Sequence, residues 1–270
     1  MLRSTKELFG YDILALDGNI GKVDDIFFQD SDWRVRYLVV DTGPWILGRK
    51  VLIVPSALGE PSWASKELSV QLTRDQVKNS PDVQTDKPIS ERELIKLHDY
   101  YDWNKYWIPM PVTTSVPPTS VRGRVEKVEP TAAKAEAVEA AARERQQEPQ
   151  FALRGAKEVI GYQVGGSDGD LGKVDDFILD DDTWDIRYLV LKTGNILQGK
   201  KVLIAPQWVE WIRHTGSRAY LDLDQETIEK SPPFDPDTPI NRRQEEVLYD
   251  FHGRPYYWLG KQEQGKEQKE

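Results

Sequence analysis

The sequence predicts a mainly β protein with short helices. It divides into two small antiparallel β domains, each followed by a helical appendage, joined by a linker rich in Pro and helix formers. Three observations predict this. The chain contains itself twice; strand-like segments separated by Gly and Asp turns fill the first half of each copy; and capped helical segments fill the second half.

The duplication fixes the organisation. Residues 2–107 align with 153–258 at one offset of 151 without a gap, with about 38 identities in 106 positions. Gly10-Tyr11 meets Gly161-Tyr162, Gly21-Lys22-Val23-Asp24-Asp25 meets Gly172-Lys173-Val174-Asp175-Asp176, and Arg36-Tyr37-Leu38-Val39 meets Arg187-Tyr188-Leu189-Val190. Such a period is too long for a solenoid unit, so each copy is a domain. The expected division is domain one at 1–110, a linker at 111–150, domain two at 151–259, and a disordered tail at 260–270. Residues 108–130 are Pro-rich and read as extended. Residues 131–147 are helix formers with one large apolar side chain, Val138, and read as a semi-rigid spacer of roughly 25 Å.

Within each copy the elements follow in order. Asp12-Ile-Leu-Ala-Leu is strand-like and runs into Asp17-Gly18-Asn19, a tight-turn signal. Gly21 to Phe28 forms the next strand, and a polar turn precedes Trp33 to Val40, rich in β-branched and aromatic residues. Lys50-Val-Leu-Ile-Val ends at Pro55, and Leu68-Ser-Val-Gln-Leu alternates cleanly. Short strands between such turns argue an antiparallel barrel or sandwich, and a barrel disposes of its edges. Thr73 and Asp224 then stand at helix N-caps, and Ser90 with Glu93 and Asn241 with Gln244 form capping-box patterns.

These residues resemble the PRC-barrel family, named for the cytoplasmic barrel of the photosynthetic reaction centre H subunit. The resemblance rests on Gly-Tyr with an apolar strand, Asp-Gly-x-x-Gly-Lys-Val-Asp-Asp, Trp-x-x-Arg-Tyr-Leu-Val, Gly-x-Lys-Val-Leu-Ile-x-Pro, and the closing Tyr106-Trp107 or Tyr257-Trp258. It covers both copies and implies a six-stranded open barrel in each. It also implies an assembly role, either docking on a membrane electron-transfer complex from the cytoplasm or holding a ribosomal protein during ribosome maturation.

Composition narrows the function classes. The absence of Cys excludes disulfides, thiol catalysis and Cys-ligated metal. A formal charge of −9 argues against a general nucleic-acid grip. No stretch of about 18 apolar residues is present, so no membrane span is expected and a cytoplasmic protein is. Gly18-x-x-Gly21-Lys22 and Gly169-x-x-Gly172-Lys173 lack the earlier Gly and the Ser or Thr of a phosphate loop, and read as hairpin turns. Asp24-Asp25 and Asp175-Asp176 sit on strands, where neighbours point to opposite faces, so one of each pair is expected to meet Arg36 or Arg187. Asp180-Asp181-Asp182 with Asp185 reads as a solvated turn rather than a calcium loop. His98, His214 and His252 are unmatched between copies, which argues against a duplicated histidine site.

The aromatic residues are the strongest remaining signal. Shared Trp33/Trp184, Tyr37/Tyr188, Tyr106/Tyr257 and Trp107/Trp258 are expected in packing. Trp45, Trp63, Trp103, Trp208 and Trp211 occur in one copy only, and are expected at exposed or paired surfaces as partner anchors. The sequence therefore predicts a non-catalytic protein-interaction module without cofactor or metal, binding a protein, pairing its own copies in pseudo-two-fold fashion or forming homo-oligomers. The alternative is an accessory docked peripherally on a photosynthetic or other electron-transfer complex; a ligand-binding enzyme ranks below both.

Overall fold

The computed structural model describes residues 1–46, 48–85, 89–107, 153–194, 199–213 and 216–259. The expected spacer helix over 131–147 and the tail at 260–270 lie outside the described residues. The chain forms two units that do not follow the repeat boundaries. Unit one gathers Met1–Leu8, Trp33–Val35 and the chain from Ala156 onward; unit two gathers Phe9–Asp32 and Arg36–Gly155.

In unit two, β2 (Asp12–Ala15) turns at Leu16-Asp17 into the long β3 (Gly18–Gln29). Gly21 has φ +144°, and a Cβ there would lie 2.1 Å from the Asp41 carbonyl oxygen, so only glycine lets β3 pass that close to its neighbour. β4 (Arg34–Asp41) follows, its Tyr37 to Val40 wholly buried, and pairs antiparallel with β5 (Lys50–Ile53). β6 (Glu67–Ser69) then lies parallel to β2, giving the order β5-β4-β3-β2-β6. The far end of β3 pairs with β7 (Arg154–Gly155), which repeat two supplies: Phe27 faces Gly155 and Phe28 faces Arg154. Ile13, Ile26, Phe28, Leu38, Ile53 and Leu68 fill the core.

Unit one repeats the plan with β8 (Gln163–Gly165), β9 (Asp170–Asp180), β10 (Ile186–Thr193), β11 (Lys201–Ile204), β12 (Val209–Arg213) and β13 (Arg218–Leu221), in the order β11-β10-β9-β8-β13-β12. Gly172 repeats the approach of Gly21, its Cβ position 2.1 Å from the Lys192 carbonyl oxygen. β1 (Leu2–Ser4), from repeat one, pairs antiparallel with the end of β9, setting Leu2 against Asp180 and Ser4 against Ile178.

The expectation of antiparallel barrels is met only in part. Both sheets are open and mixed, with β2–β6 and β8–β13 parallel. β6 arrives at the outer edge of β2, and β13 at the outer edge of β8. The Phe234 N–H donates to the Lys201 carbonyl on β11. In unit two, single bridges Leu58–Val70 and Ser62–Glu67 flank β6. The matching span in unit one is the complete strand β12, which the sequence pattern missed.

The appendages hold the expected caps. In α2 (Arg74–Lys78), α3 (Glu91–Tyr101) and α6 (Arg242–Phe251) the capping boxes at Thr73–Gln76, Ser90–Glu93 and Asn241–Gln244 are all formed. Asp224 caps α5 (Gln225–Lys230) by accepting from the Thr227 N–H. Two short helices, α1 (Thr5–Leu8) and α4 (Ala156–Val159), follow β1 and β7. One cation in each repeat ties sheet to appendage: Arg49 donates to the Val77 and Ser80 carbonyls at 2.9 and 3.1 Å, and Lys200 to the Glu229 and Ser231 carbonyls. Among the described residues no helix is long and apolar enough to cross a membrane.

Gly21→Ala and Gly172→Ala are each expected to cost about 3 kcal/mol or more, because backbone of the neighbouring strand fills the Cβ position. Gly194→Ala, where a Cβ meets open space, is expected to stay within about 1 kcal/mol of the parent. Thermal unfolding of the three variants checks this; equal losses at all three positions would refute the close-approach account.

Candidate interaction site

The chemistry of unit one concentrates where repeat-one segments complete the repeat-two sheet. The Asp176 carboxylate, 7% exposed, accepts from the Ser4 hydroxyl, from the Thr5 hydroxyl at 2.8 Å, and from the backbone N–H groups of Lys6 and Phe177 at 3.3 and 2.7 Å. A buried carboxylate is tolerated when its lone pairs are met this way. Its neighbour Asp175 points to the other face, where Lys201 and Lys6 lie at 2.9 and 3.2 Å. Burial pushes the Asp175 carboxyl up, but the two lysines outweigh it and hold it below the usual carboxylate range.

The matching place in unit two is built differently. Gly155 and Ala156 stand where Ser4 and Thr5 stand in repeat one, so the hydroxyls are missing. Asp25 accepts from the Ile26 N–H at 2.7 Å, and a Cβ on Gly155 would come within 2.6 Å of its Oδ2. Asp24 pairs with Lys50 at 2.7 Å. The adjacent aspartates thus do form cross-strand charge pairs, but the partners found for Asp24 and Asp175 are lysines. Arg36 instead reaches Gln29 at 3.0 Å and Asp32, and Arg187 reaches Asp180 and Asp185 at 3.2 and 2.9 Å.

A second repeat-one segment, Trp33–Val35, also belongs to unit one. The Val35 N–H donates to the Trp184 carbonyl at 2.9 Å, and the Ile186 N–H to the Trp33 carbonyl at 2.7 Å. Between them Arg34 Nε contacts Asp185 Oδ1 at 2.8 Å. Trp33 and Trp184 both adopt φ near +57°, uncommon for a bulky residue, and Trp33 packs 6.4 Å from Phe177. Asp185 is 8% exposed; burial pushes its carboxyl up, but Arg34 and Arg187 draw it below its ordinary value.

The shared aromatic residues pack between sheet and appendage. In unit two the His98 Nδ1 faces the Trp103 carbonyl at 3.3 Å, and a carbonyl only accepts, so Nδ1 carries the proton. Nε2 then accepts from the buried Tyr37 hydroxyl at 2.6 Å. Trp107 lies 4.8 Å from the His98 ring, and Arg36 sits 4.2 Å over Tyr106, whose hydroxyl burial pushes up to about 12. In unit one the buried Glu245 takes the equivalent place, accepting from Tyr188 at 2.7 Å, Tyr257 at 2.9 Å and Arg242 at 2.9 Å. Arg187 lies 4.6 Å over Tyr257, and Arg242 4.1 Å over Trp258. Leu94 and His98 of repeat one therefore correspond to Glu245 and Tyr249 of repeat two: two polar anchors, one tyrosine frame.

The single-copy tryptophans divide. Trp208 and Trp211 are each 3% exposed, which corrects their expected place at a surface. Trp208 packs against Tyr249 and His252, and Trp211 stacks on Tyr220 at 3.9 Å. Trp211 lies on β12 and Trp208 ends the turn Pro206–Trp208 that leads into it, and neither element is visible in the sequence pattern. Trp45, Trp63 and Trp103 are half-buried: Trp45 lies 4.4 Å under Arg74, Trp63 packs 6.2 Å from Tyr11, and Trp103 stacks on Tyr101 at 4.2 Å. Gly18 and Gly169 open β3 and precede β9, and Lys22 pairs with Asp12 at 2.9 Å in a hairpin. The Asp180-Asp181-Asp182 carboxylates lie together, with Arg3 on Asp181 at 2.6 Å and Arg187 on Asp180. Unit one also carries a groove of about 320 Å³ between Pro232-Pro233-Phe234 and α6, lined by Ile240, Arg243 and Val247. Ser4, Thr5, Arg34 and Glu245 were missed by sequence reasoning; the one signal for them is a change of chemistry at matched positions inside otherwise matched segments.

Glu245→Leu, the residue found in repeat one, is expected to cost about 3 kcal/mol by stranding two tyrosine hydroxyls and Arg242. The combined Glu245→Leu, Tyr249→His variant is expected to recover about half of that by restoring a ring acceptor; urea unfolding in which the two losses simply add would refute the equivalence. A second test uses pH. Burial among Trp208 and Phe251, then Arg254 nearby, push His252 down to about 4. The folded state thus holds it neutral, and its contribution is complete above about 6.5 and lost as pH falls toward 4. His252→Gln is expected to flatten that acid loss by on the order of 1 kcal/mol after solvent screening. Parallel acid curves for parent and variant would exclude the role.

Comparison with curated proteins gives no match. The family model for the PRC-barrel domain matches residues 3–65 and 153–228, just over half of the chain and one segment in each repeat. The match spans the long glycine-gated strand, the Trp–Arg–Tyr strand and the Lys-Val-Leu-Ile strand of both copies, and the chain belongs to the PRC-barrel family.

Proposed function

We propose that the chain is a non-catalytic assembly module, a tandem pair of PRC-barrel domains that presents paired repeats to a protein partner. The observation that carries this reading is the exchange of strands: β1 of repeat one completes a sheet of repeat two, and β7 of repeat two completes a sheet of repeat one. A chain whose duplicated parts finish one another is organised for holding surfaces in place. The polar groups support the same reading. Asp176, His98 and Glu245 are consumed by hydrogen bonds that bind strands and helices together, leaving no converging nucleophile, base and oxyanion donors among them.

The partner-facing anchors are proposed to be the half-buried Trp45 and Trp63 of unit two, with Trp103 beside them in sequence class but committed to the His98 cluster. Aromatic side chains of this kind supply much of the energy of protein contacts.

Affinity capture with the full chain, read by mass spectrometry, is expected to lose its specific protein partner about tenfold in Trp45→Ala or Trp63→Ala while both variants keep the parent unfolding temperature within about 4 °C. Undiminished capture by both variants would remove the tryptophans from the interface, and a substrate turned over by the isolated chain would end the non-catalytic reading.

A further inference from the structure

Arg34 and Asp185 occupy the same position of the two repeats, since 151 residues separate them. Within unit one they face each other as an antiparallel bridge pair. The bonds on either side are reciprocal as well: residue 35 donates to 184, and residue 186, the equivalent of 35, donates to 33, the equivalent of 184. The contact is therefore self-matched, each position meeting its own counterpart. In a contact of this kind, like-with-like pairing of two chains would set one Arg34 against another, or one Asp185 against another.

We propose that the opposite charges at this one self-matched position select repeat one as the partner of repeat two and reject like-with-like pairing between chains. The environment gives the choice force. Asp185 is nearly buried, where a second carboxylate would be poorly screened, and Arg187 lies 2.9 Å from it on its own strand. Both charge-assisted contacts to Asp185 are geometrically tight, and specificity gained from a penalised alternative needs no great gain in the favoured pair. The arms point the same way. Ser4 and Thr5 of repeat one deliver two hydroxyls to Asp176, whereas the Gly155 and Ala156 of a second repeat-two arm carry none. Repeat two paired with its own kind would lose those hydroxyls and bring two Asp185 carboxylates together. This selection concerns the choice between repeats and does not rest on the function proposed above.

Charge exchange in the full chain tests it. Arg34→Asp leaves acids at both matched positions, and Asp185→Arg leaves cations at both, so neither variant has a complementary pairing available to it alone. Together they do: each repeat one of either variant complements repeat two of the other. Unfolded in denaturant, mixed in equal amounts and refolded, the two are expected to form a two-chain species, twice the 31.0 kDa of one chain, at about tenfold the amount either forms alone, read by size exclusion with light scattering. The double variant Arg34→Asp, Asp185→Arg restores complementarity within one chain. It is expected to be a single-chain species with an unfolding temperature above both single variants, a readout that holds even where the single variants fail to fold. The selection stands only if the double variant shows this recovery and any folded mixture shows the excess of dimer. A double variant no more stable than the weaker single, or a mixture that dimerises no more than its components, would overturn it.

Discussion

The structure depends on the pairing of β1 with the far end of β9. That end of β9 belongs to a strand of eleven residues, long enough to bind β10 along one edge and, on the other, still offer main-chain groups beyond β8. Unmet backbone donors and acceptors in a buried strand are costly, so the site must be filled. The chain fills it with a three-residue strand from the other repeat, and a three-residue strand is too short to hold itself. The buried Asp176 supplies what the ladder lacks, because hydrogen bonds to a charged acceptor are the strong ones. From this follow the position of α1, the burial of Thr5 and Leu8, and the need for Gly172 to hold β9 against β10.

The two repeats meet the same requirements with different chemistry. Each must bury a tyrosine from β4 or β10, Tyr37 or Tyr188, beneath its last helix, and burial raises the hydroxyl of both well above its ordinary value. The hydroxyl needs an acceptor. Repeat one supplies a neutral imidazole one helical turn below Leu94, and repeat two supplies a carboxylate at the position of that leucine and gives the imidazole position to Tyr249. The charge of Glu245 then demands Arg242 and Tyr257, whereas the neutral His98 is content with aromatic edges. The packing frame constrains volume and leaves the polar partner free to change as long as a donor always finds an acceptor.

What the sequence made legible follows from where the information is local. The capping boxes at Ser90 and Asn241 are read from four residues and are present as read. The hairpin, expected at Asp17-Gly18-Asn19 and turning at Leu16-Asp17, and the apolar strand 37–40 are likewise local, and the duplication made every such reading twice. The exchange of β1 and β7 was not legible, because Leu2-Arg3-Ser4 and Arg154-Gly155 have no periodicity and their partners lie more than 120 residues away. The wholly antiparallel barrel needed correction for a related reason: alternation shows that a strand has an inner face but not which edge it joins or in which direction. The burial of Trp211 needed β12, whose matching span in repeat one forms only isolated bridges, and that of Trp208 needed the turn Pro206–Trp208 ahead of it. Of the interaction site, the shared residues were visible, but Arg34 opposite Asp185 was not, since a mismatch between repeats looks like drift until the two are seen to touch.

That mismatch shows what duplication permits. A single domain that pairs with its own kind must place the same side chain on both sides of a self-matched contact, so a charge there always meets its like. Once both copies lie in one chain, the two sides are encoded separately and can diverge in opposite directions. Arg34 and Asp185 have done so, as have the hydroxyl-bearing arm at Ser4-Thr5 and its bare counterpart at Gly155-Ala156. The formal charge follows the same division, −3 over residues 1–110 and −6 over 151–270. These differences touch the positions through which segments of one repeat enter the sheet of the other, while the glycine-gated strands, the Arg–Tyr stacks and the helix caps stay alike. The contact that decides partnership has diverged in charge and in its hydroxyls, and the core beneath the last helices has diverged as well, Leu94 and His98 against Glu245 and Tyr249, without loss of the shared tyrosine frame.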